Sequence, residues 1–231
     1  MKSKLLFLAL LFAASNVVAQ TKNYKFGFSA GGTIQHYNGN LGSSLFKFET
    51  TCFAGVTSNL GYYLNKSFDL NAIFSIGHFG YCCTEEDNTR VVALEYRCPG
   101  CVDKTGMGEL RSLLTSGNLA IKYKFANGYI LNENSKISPY IYAGTGINYL
   151  SDVMKKNCVN VGTHFTINGG VGFKYNLTER INFGYHLALA CFMDKKVYAT
   201  GTFDGASARD PKIEKRKDIC MQNALTIGFN F

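Results

Sequence analysis

The stretch Ile219-Cys220-Met221-Gln222-Asn223-Ala224-Leu225-Thr226-Ile227-Gly228-Phe229-Asn230-Phe231 decides the fold. Ile219, Met221, Leu225, Ile227, Phe229 and Phe231 fall on one side of a period-two pattern, and Cys220, Gln222, Ala224, Thr226, Gly228 and Asn230 on the other. Side chains of an extended chain point alternately to opposite faces, so this is a strand with one apolar and one more polar face. A soluble domain gains little from exposing an aromatic edge of this kind. A membrane barrel needs a last strand that closes on its first with the apolar face outward. We therefore expect Leu225, Ile227, Phe229 and Phe231 to belong to a barrel-closing terminal strand.

Seven earlier segments repeat the pattern, at 24–35, 52–64, 68–80, 112–125, 137–150, 161–176 and 180–193. The first sets Tyr24, Phe26, Phe28, Ala30 and Ile34 against Lys25, Gly27, Ser29, Gly31, Thr33 and Gln35. Soluble strands usually run about 5 or 6 residues, whereas tilted membrane strands need about 9 to 11 plus a rim, which these segments supply. Eight strands is an even number, as a bacterial barrel requires. Val56, Leu60, Tyr62, Leu70, Phe74, Leu119, Ile121, Tyr123, Ile141 and Ile147 form the apolar faces. Lys25, Asn59, Asp69, Asn71, Asn118, Lys122, His164, Asn168, Lys174, His186 and Gln222 lie on the polar ones, with Gly144, Gly146, Gly170 and Gly172 among them. A soluble barrel would pack its apolar face inside. The expected fold is all-β: an eight-stranded antiparallel transmembrane up-and-down β-barrel.

The opposite end supports an exported chain. Lys2 and Lys4 precede an apolar run over 5–14, and Val17-Val18-Ala19 precedes Gln20, the pattern of a signal peptide over 1–19 cleaved after Ala19. The apolar run is too short for a spanning helix, so residues 20–231 are expected to form one barrel domain with no transmembrane helix. The full chain carries 24 Lys and Arg against 16 Asp and Glu, net +8; without the two leader lysines the charge is +6, thinly spread. That distribution does not point to nucleic acid.

Connection lengths set the direction. Turns at 65–67 and 177–179 are tight and 126–136 is moderate, while 36–51, 81–111, 151–160 and 194–218 are longer. Membrane barrels keep short turns on the periplasmic side and long loops outside, which puts both termini in the periplasm. Tyr24, Phe26, Tyr62, Tyr63, Phe68, Tyr123, Phe125, Phe173, Tyr175, Phe183, Phe229 and Phe231 then gather at the periplasmic rim as an interfacial girdle.

Three stretches carry a family resemblance: Tyr37-Asn38-Gly39-Asn40-Leu41-Gly42, the run from Gly61-Tyr62-Tyr63-Leu64 to Asp69-Leu70, and the run from Lys122-Tyr123-Lys124-Phe125 through Ser138-Pro139-Tyr140-Ile141-Tyr142-Ala143-Gly144. They resemble the barrel half of OmpA-type outer-membrane proteins of the Bacteroidetes. The resemblance implies an integral outer-membrane protein surrounded by lipid and lipopolysaccharide. It covers turns and strands rather than chemistry, so it speaks to fold and location. The terminal aromatic similarly resembles the signal read by barrel-insertion machinery. A peptidoglycan-binding domain follows the barrel in many such proteins; none is expected within this sequence.

All eight cysteines follow the leader, and an even count in an exported chain favours disulfides. The candidates are Cys52, Cys82, Cys83, Cys98, Cys101, Cys158, Cys191 and Cys220, each at the outer end of a strand or in an outer loop. Pairs within the Cys82 to Cys101 loop are favoured, and between that loop and Cys52 less so. Cys191 and Cys220 share a hairpin, but alternation sends one outward and one inward, so a bond between them requires a bulge or a frayed end. Cys98-Pro99-Gly100-Cys101 has redox-motif spacing without the βαβ context that such a site needs. Zinc on these and Cys82 and Cys83 is disfavoured by export.

No local motif joins a nucleophile to a base. His164 and His186 are expected to be lumen neighbours on adjacent strands, and Ser112 is the nucleophile one would set beside a histidine. Gly144-Thr145-Gly146 lies inside a strand and relieves crowding rather than cradling phosphate. The basic run Lys212-Ile213-Glu214-Lys215-Arg216-Lys217 reads first as a solvated loop and second as a contact for lipopolysaccharide phosphates. An eight-stranded barrel is filled by its own side chains, which argues against a diffusion pore. The expected function is non-enzymatic, structural or binding through disulfide-braced outer loops, with no cofactor. The alternatives are an accessory subunit of a larger secretion or uptake complex, then an enzyme acting on lipid or peptide.

Overall fold

The computed structural model describes residues 25–38, 52–83, 108–153, 161–193 and 219–231, and the structural statements below concern these residues. They form eight strands: β1 (Phe26–Asn38), β2 (Cys52–Tyr63), β3 (Phe68–Cys83), β4 (Gly108–Lys124), β5 (Ile137–Asp152), β6 (Gly162–Asn176), β7 (Ile181–Phe192) and β8 (Ile219–Asn230). Each pairs antiparallel with its chain neighbour, and β8 pairs with β1, closing the barrel. The strands fall where the periodicity puts them. The main difference is that β1, β3, β4 and β5 run two to four residues further toward the long connections.

Short side chains make the turns. Asn65 Oδ1 accepts hydrogen bonds from the backbone N–H groups of Ser67 and Phe68, both at 2.9 Å, and tightens the β2–β3 turn. Thr178 Oγ1 does the same for Arg180 and Ile181 in the β6–β7 turn, at 3.2 and 2.9 Å. In the β4–β5 turn, buried Asn127 accepts from Tyr129 and Ile130, and Gly128 adopts a φ of 82° that a side chain would strain. Lys66 and Glu133 pair at 2.6 Å and tie two turns together; the Glu133 carboxylate holds the Lys66 ammonium above its ordinary pKa.

Closure fixes the dimensions. Following register partners once round from Phe28, through Leu60, Ala72, Leu119, Thr145, Ile167, Cys191 and Ile219, returns to β1 at Asn38, a shift of ten residues from 28 to 38. With eight strands and ordinary sheet spacings that shear gives a tilt of about 40° and a backbone radius of roughly 8 Å. A 12-residue strand at this tilt rises about 30 Å, enough to cross an apolar band of about 25 Å. The outer wall is the expected apolar one: Val56, Leu60, Phe74, Leu119, Ile121, Ile141, Ile147, Leu225 and Ile227 are all exposed. Aromatics crowd the turn end, where Phe26 meets Tyr62 at 5.0 Å and Phe231 at 6.0 Å, and Phe68 meets Tyr123 at 5.2 Å. Phe231 and Phe26 exchange both backbone hydrogen bonds, at 2.7 and 2.9 Å, so pairing continues to the last residue.

Four placements correct the face assignment. Lys25 precedes β1 and is exposed at the rim, because the wall ends before it. Tyr63 lies on the inward parity of β2 under Lys124, 4.3 Å from its ring, rather than in the girdle. Met221 holds an outward position but is only 2% exposed, beside its register partner His36, so the exposed row of β8 begins at Leu225, on the turn-end side of it. The inner face is not uniformly polar: Leu114, Leu150 and Phe192 fill its loop-end half.

Candidate functional site

The lumen collects the polar rows that alternation sends inward. At its turn end Asp69 is fully buried, and its Oδ1 accepts from Lys124 Nζ at 2.6 Å. Lys122, directly opposite Asp69 in register, instead donates diagonally to Asn71 Oδ1 at 2.9 Å and sits 4.5 Å from the Tyr140 ring. Tyr140 and Tyr142 are inward and buried, and two glycines make room for their rings. A Cβ on Gly172 would meet Tyr140 Cζ at 2.6 Å, and one on Gly170 would meet Tyr142 Cζ at 2.9 Å. Across Gly170, Tyr142 reaches over β6 to His186, edge to face at 6.4 Å. This aromatic and lysine layer crosses the lumen in its turn-end half.

Two small cavities flank that layer. The one toward the loop end, about 30 Å³, is lined by Gln35, Asn168, His186 and Gln222, whose Oε1, Oδ1, Nε2 and Nε2 respectively make no hydrogen bond to protein. The one toward the turn end, about 20 Å³, is lined by Ser29, Lys122, Lys174, Asn182 and His186 among others. Each has room for about one small species, and polar linings of this kind are normally hydrated. Asn168 Nδ2 donates to Asn118 Oδ1 at 2.8 Å and Asn148 Nδ2 to Thr166 Oγ1 at 2.7 Å, so cross-strand amides fill much of what remains. The glycine pair of β5 behaves as expected in a crowded wall: a Cβ on Gly146 would strike Asn118 Oδ1.

The two histidines do not meet. His186 stands opposite Gly172 in the β6–β7 ladder, eight positions from His164, roughly 26 Å along the strand. His164 packs against Phe192 instead, at 6.0 Å. Ser112 is opposite Phe79 and Asp152, not a histidine. Cys191 and Cys220 are both free thiols: the β7–β8 ladder runs without a bulge, pairing Cys220 with Ala190 and Cys191 with Ile219, so the two sulfurs belong to opposite faces of the wall. That ladder lacks the bulge that a bond between these two would require. Cys52 begins β2 and Cys82 and Cys83 end β3, as expected, but their side chains lie outside the described residues, as do Cys98, Cys101, Cys158 and the basic run 212–217 altogether. Sequence reading missed the inward Tyr140 and Tyr142 and the Lys124–Asp69 pair. The signal was available in the outward parity of Ile141 and Tyr123, which sends their neighbours inward.

A closed eight-strand wall, apolar outside and side-chain-filled inside, defines an integral outer-membrane β-barrel. The chain belongs to the outer membrane protein beta-barrel domain family, which it matches over residues 5–209. Among solved structures it is similar to Neisserial surface protein A, with 14% identity over 89% of this chain and 97% of that one and a TM-score of 0.51. OprG of Pseudomonas aeruginosa gives 13% identity over 93% and 97%, TM-score 0.48, and Ail of Yersinia pestis 12% over 90% and 99%, TM-score 0.46. The likeness to Neisserial surface protein A speaks to the fold alone. No curated protein matches the chain.

Proposed function

We propose that this chain is a non-enzymatic outer-membrane barrel whose work is done at its loop end rather than through its lumen. The observation that carries this reading is the crossing layer of Lys122, Tyr140, Tyr142 and His186, with cavities of only about 20 and 30 Å³ on its two sides. Cavities of that size pass no metabolite. In this reading residues 1–19 are a signal peptide and both termini face the periplasm, where the short turns would lie. Loop-end cysteines other than Cys191 and Cys220 would brace the outer loops by disulfides, and the basic run 212–217 would lie near lipopolysaccharide phosphates. Barrel-insertion machinery would read the terminal strand. Proteoliposomes carrying the purified barrel should show no sugar-dependent swelling above lipid alone, while immobilised barrel should retain a surface ligand. Swelling at porin-like rates would sink the reading.

One observation favours an accessory subunit as the second reading. Asn223 occupies an outward position on β8 between Ile34 and Leu187, where only apolar side chains suit lipid. Tyr185 Oη donates to its Oδ1 at 2.8 Å, which satisfies part of the amide. Crosslinking in whole membranes from a photoreactive residue at 223 should then recover one large partner; recovery of lipid alone rejects it.

A further inference from the structure

We propose that the turn-end half of the lumen is a binding site for one small monovalent anion of chloride size, held between Lys122 and Lys174. The first ground is a charge imbalance. Among the described residues of this half, Lys122, Lys124 and Lys174 face a single carboxylate, Asp69, and all four lie close enough to act on one another electrostatically. Asp69 Oδ1 takes Lys124 at 2.6 Å and its buried Oδ2 accepts no hydrogen bond, so one carboxylate stands against three lysines. The next inward acid, Asp152, lies twelve positions along β5 from Tyr140, the register partner of Lys124. Glu133 is exposed and engaged with Lys66. Buried ammonium groups in excess of their carboxylates are expensive, and a counter-ion or loss of protons must offset them.

The second ground is a built cavity. Its lining contains both Lys122 and Lys174 and no carboxylate. At about 20 Å³ it has room for one halide or water. Lys122 gives one N–H to Asn71 and faces the Tyr140 ring, and an ammonium has three donors. Ser29 and Asn182 add a hydroxyl and an amide, and both are buried. His186 is buried and lines the cavity with a ring nitrogen, Nε2, that makes no hydrogen bond to protein. It is a donor in the tautomer that carries hydrogen there. Asn59 also lines the cavity with an unpaired Oδ1, and a flip of its amide presents Nδ2 instead. The other titratable groups of this region, Tyr63, Tyr140 and Tyr142, are neutral phenols at neutral pH. The charges to be balanced are therefore those of the lysines.

The folded barrel in detergent, crystallised with sodium bromide replacing chloride, tests the site directly. The expected result is one anomalous bromide peak in the lumen within contact of Lys122 Nζ and Lys174 Nζ. No lumen peak overturns the proposal, whatever else is seen, and bromide confined to the outer surface counts as no lumen peak. A second measurement follows heat unfolding in chloride and in gluconate at equal ionic strength. Wild type should unfold several degrees lower in gluconate, and Lys174→Met should lose that difference. A lumen bromide whose stability effect survives in Lys174→Met overturns the assignment to this lysine pair. Should Lys174→Met fail to fold, Lys122→Met serves in the same comparison.

Discussion

Asp69 is the residue on which the turn-end lumen depends. It is wholly buried, bonded to Lys124, and the only inward carboxylate of the described residues that three lysines share there. Removing one member of a buried pair leaves the other charge uncompensated, at a cost of about 3 to 5 kcal/mol. Asp69→Asn should lower the urea stability of the folded barrel by about that amount. Asp69→Asn with Lys124→Met removes both charges and should recover much of the loss, since an apolar replacement of a buried pair is often neutral. A double variant no more stable than Asp69→Asn would show that the carboxylate acts on the remaining lysines rather than through Lys124. None of this was visible in periodicity, which sends Asp69, Lys122 and Lys124 inward but leaves their partners to register. Lys122 faces Asp69 across the ladder and yet bonds to Asn71, a choice made by side-chain length and the Tyr140 ring.

At the scale of elements, the β7–β8 hairpin shows what alternation can decide. Cys191 and Cys220 are nearly level on neighbouring strands, but the bulge-free register places them on opposite faces. Cys220 is buried on the lumen face, whereas Cys191 is partly exposed on the lipid face. Folded protein treated with a lipophilic maleimide should be modified at Cys191 and spared at Cys220, and unfolding should open both to the reagent. Peptide mass mapping reads the outcome, and a Cys191–Cys220 bridge would contradict the described ladder. The strands themselves were legible because each keeps one unbroken alternation over a dozen residues. Their loop-end limits were less so: Tyr81 and Gly108 continue the β3–β4 ladder past the point where apolar alternation stops, because backbone pairing needs no particular side chain.

For the whole molecule, closure through β8 is the step that lipid must tolerate. Leu225 is 70% exposed, opposite Gly32, and six residues above Phe231, which at the derived tilt is about 15 Å from the turn-end girdle and near the middle of the apolar band. Leu225→Arg should therefore destabilise the barrel in bilayers by roughly 2 to 4 kcal/mol, read from denaturant unfolding, whereas the same change near the rim would have little effect. Equal stability of Leu225→Arg and wild type would mean that this seam does not face lipid.

The sequence by itself determined the number of strands, their faces and the membrane environment, because period two, a dozen residues of length and an apolar outer row admit few other structures. Only the tertiary structure decided the shear of ten, the crossing of the lumen by Lys122, Tyr140 and Tyr142, and the separation of His164 from His186. Those depend on how one strand slides against the next, and a slide of two residues keeps every face unchanged while exchanging every neighbour.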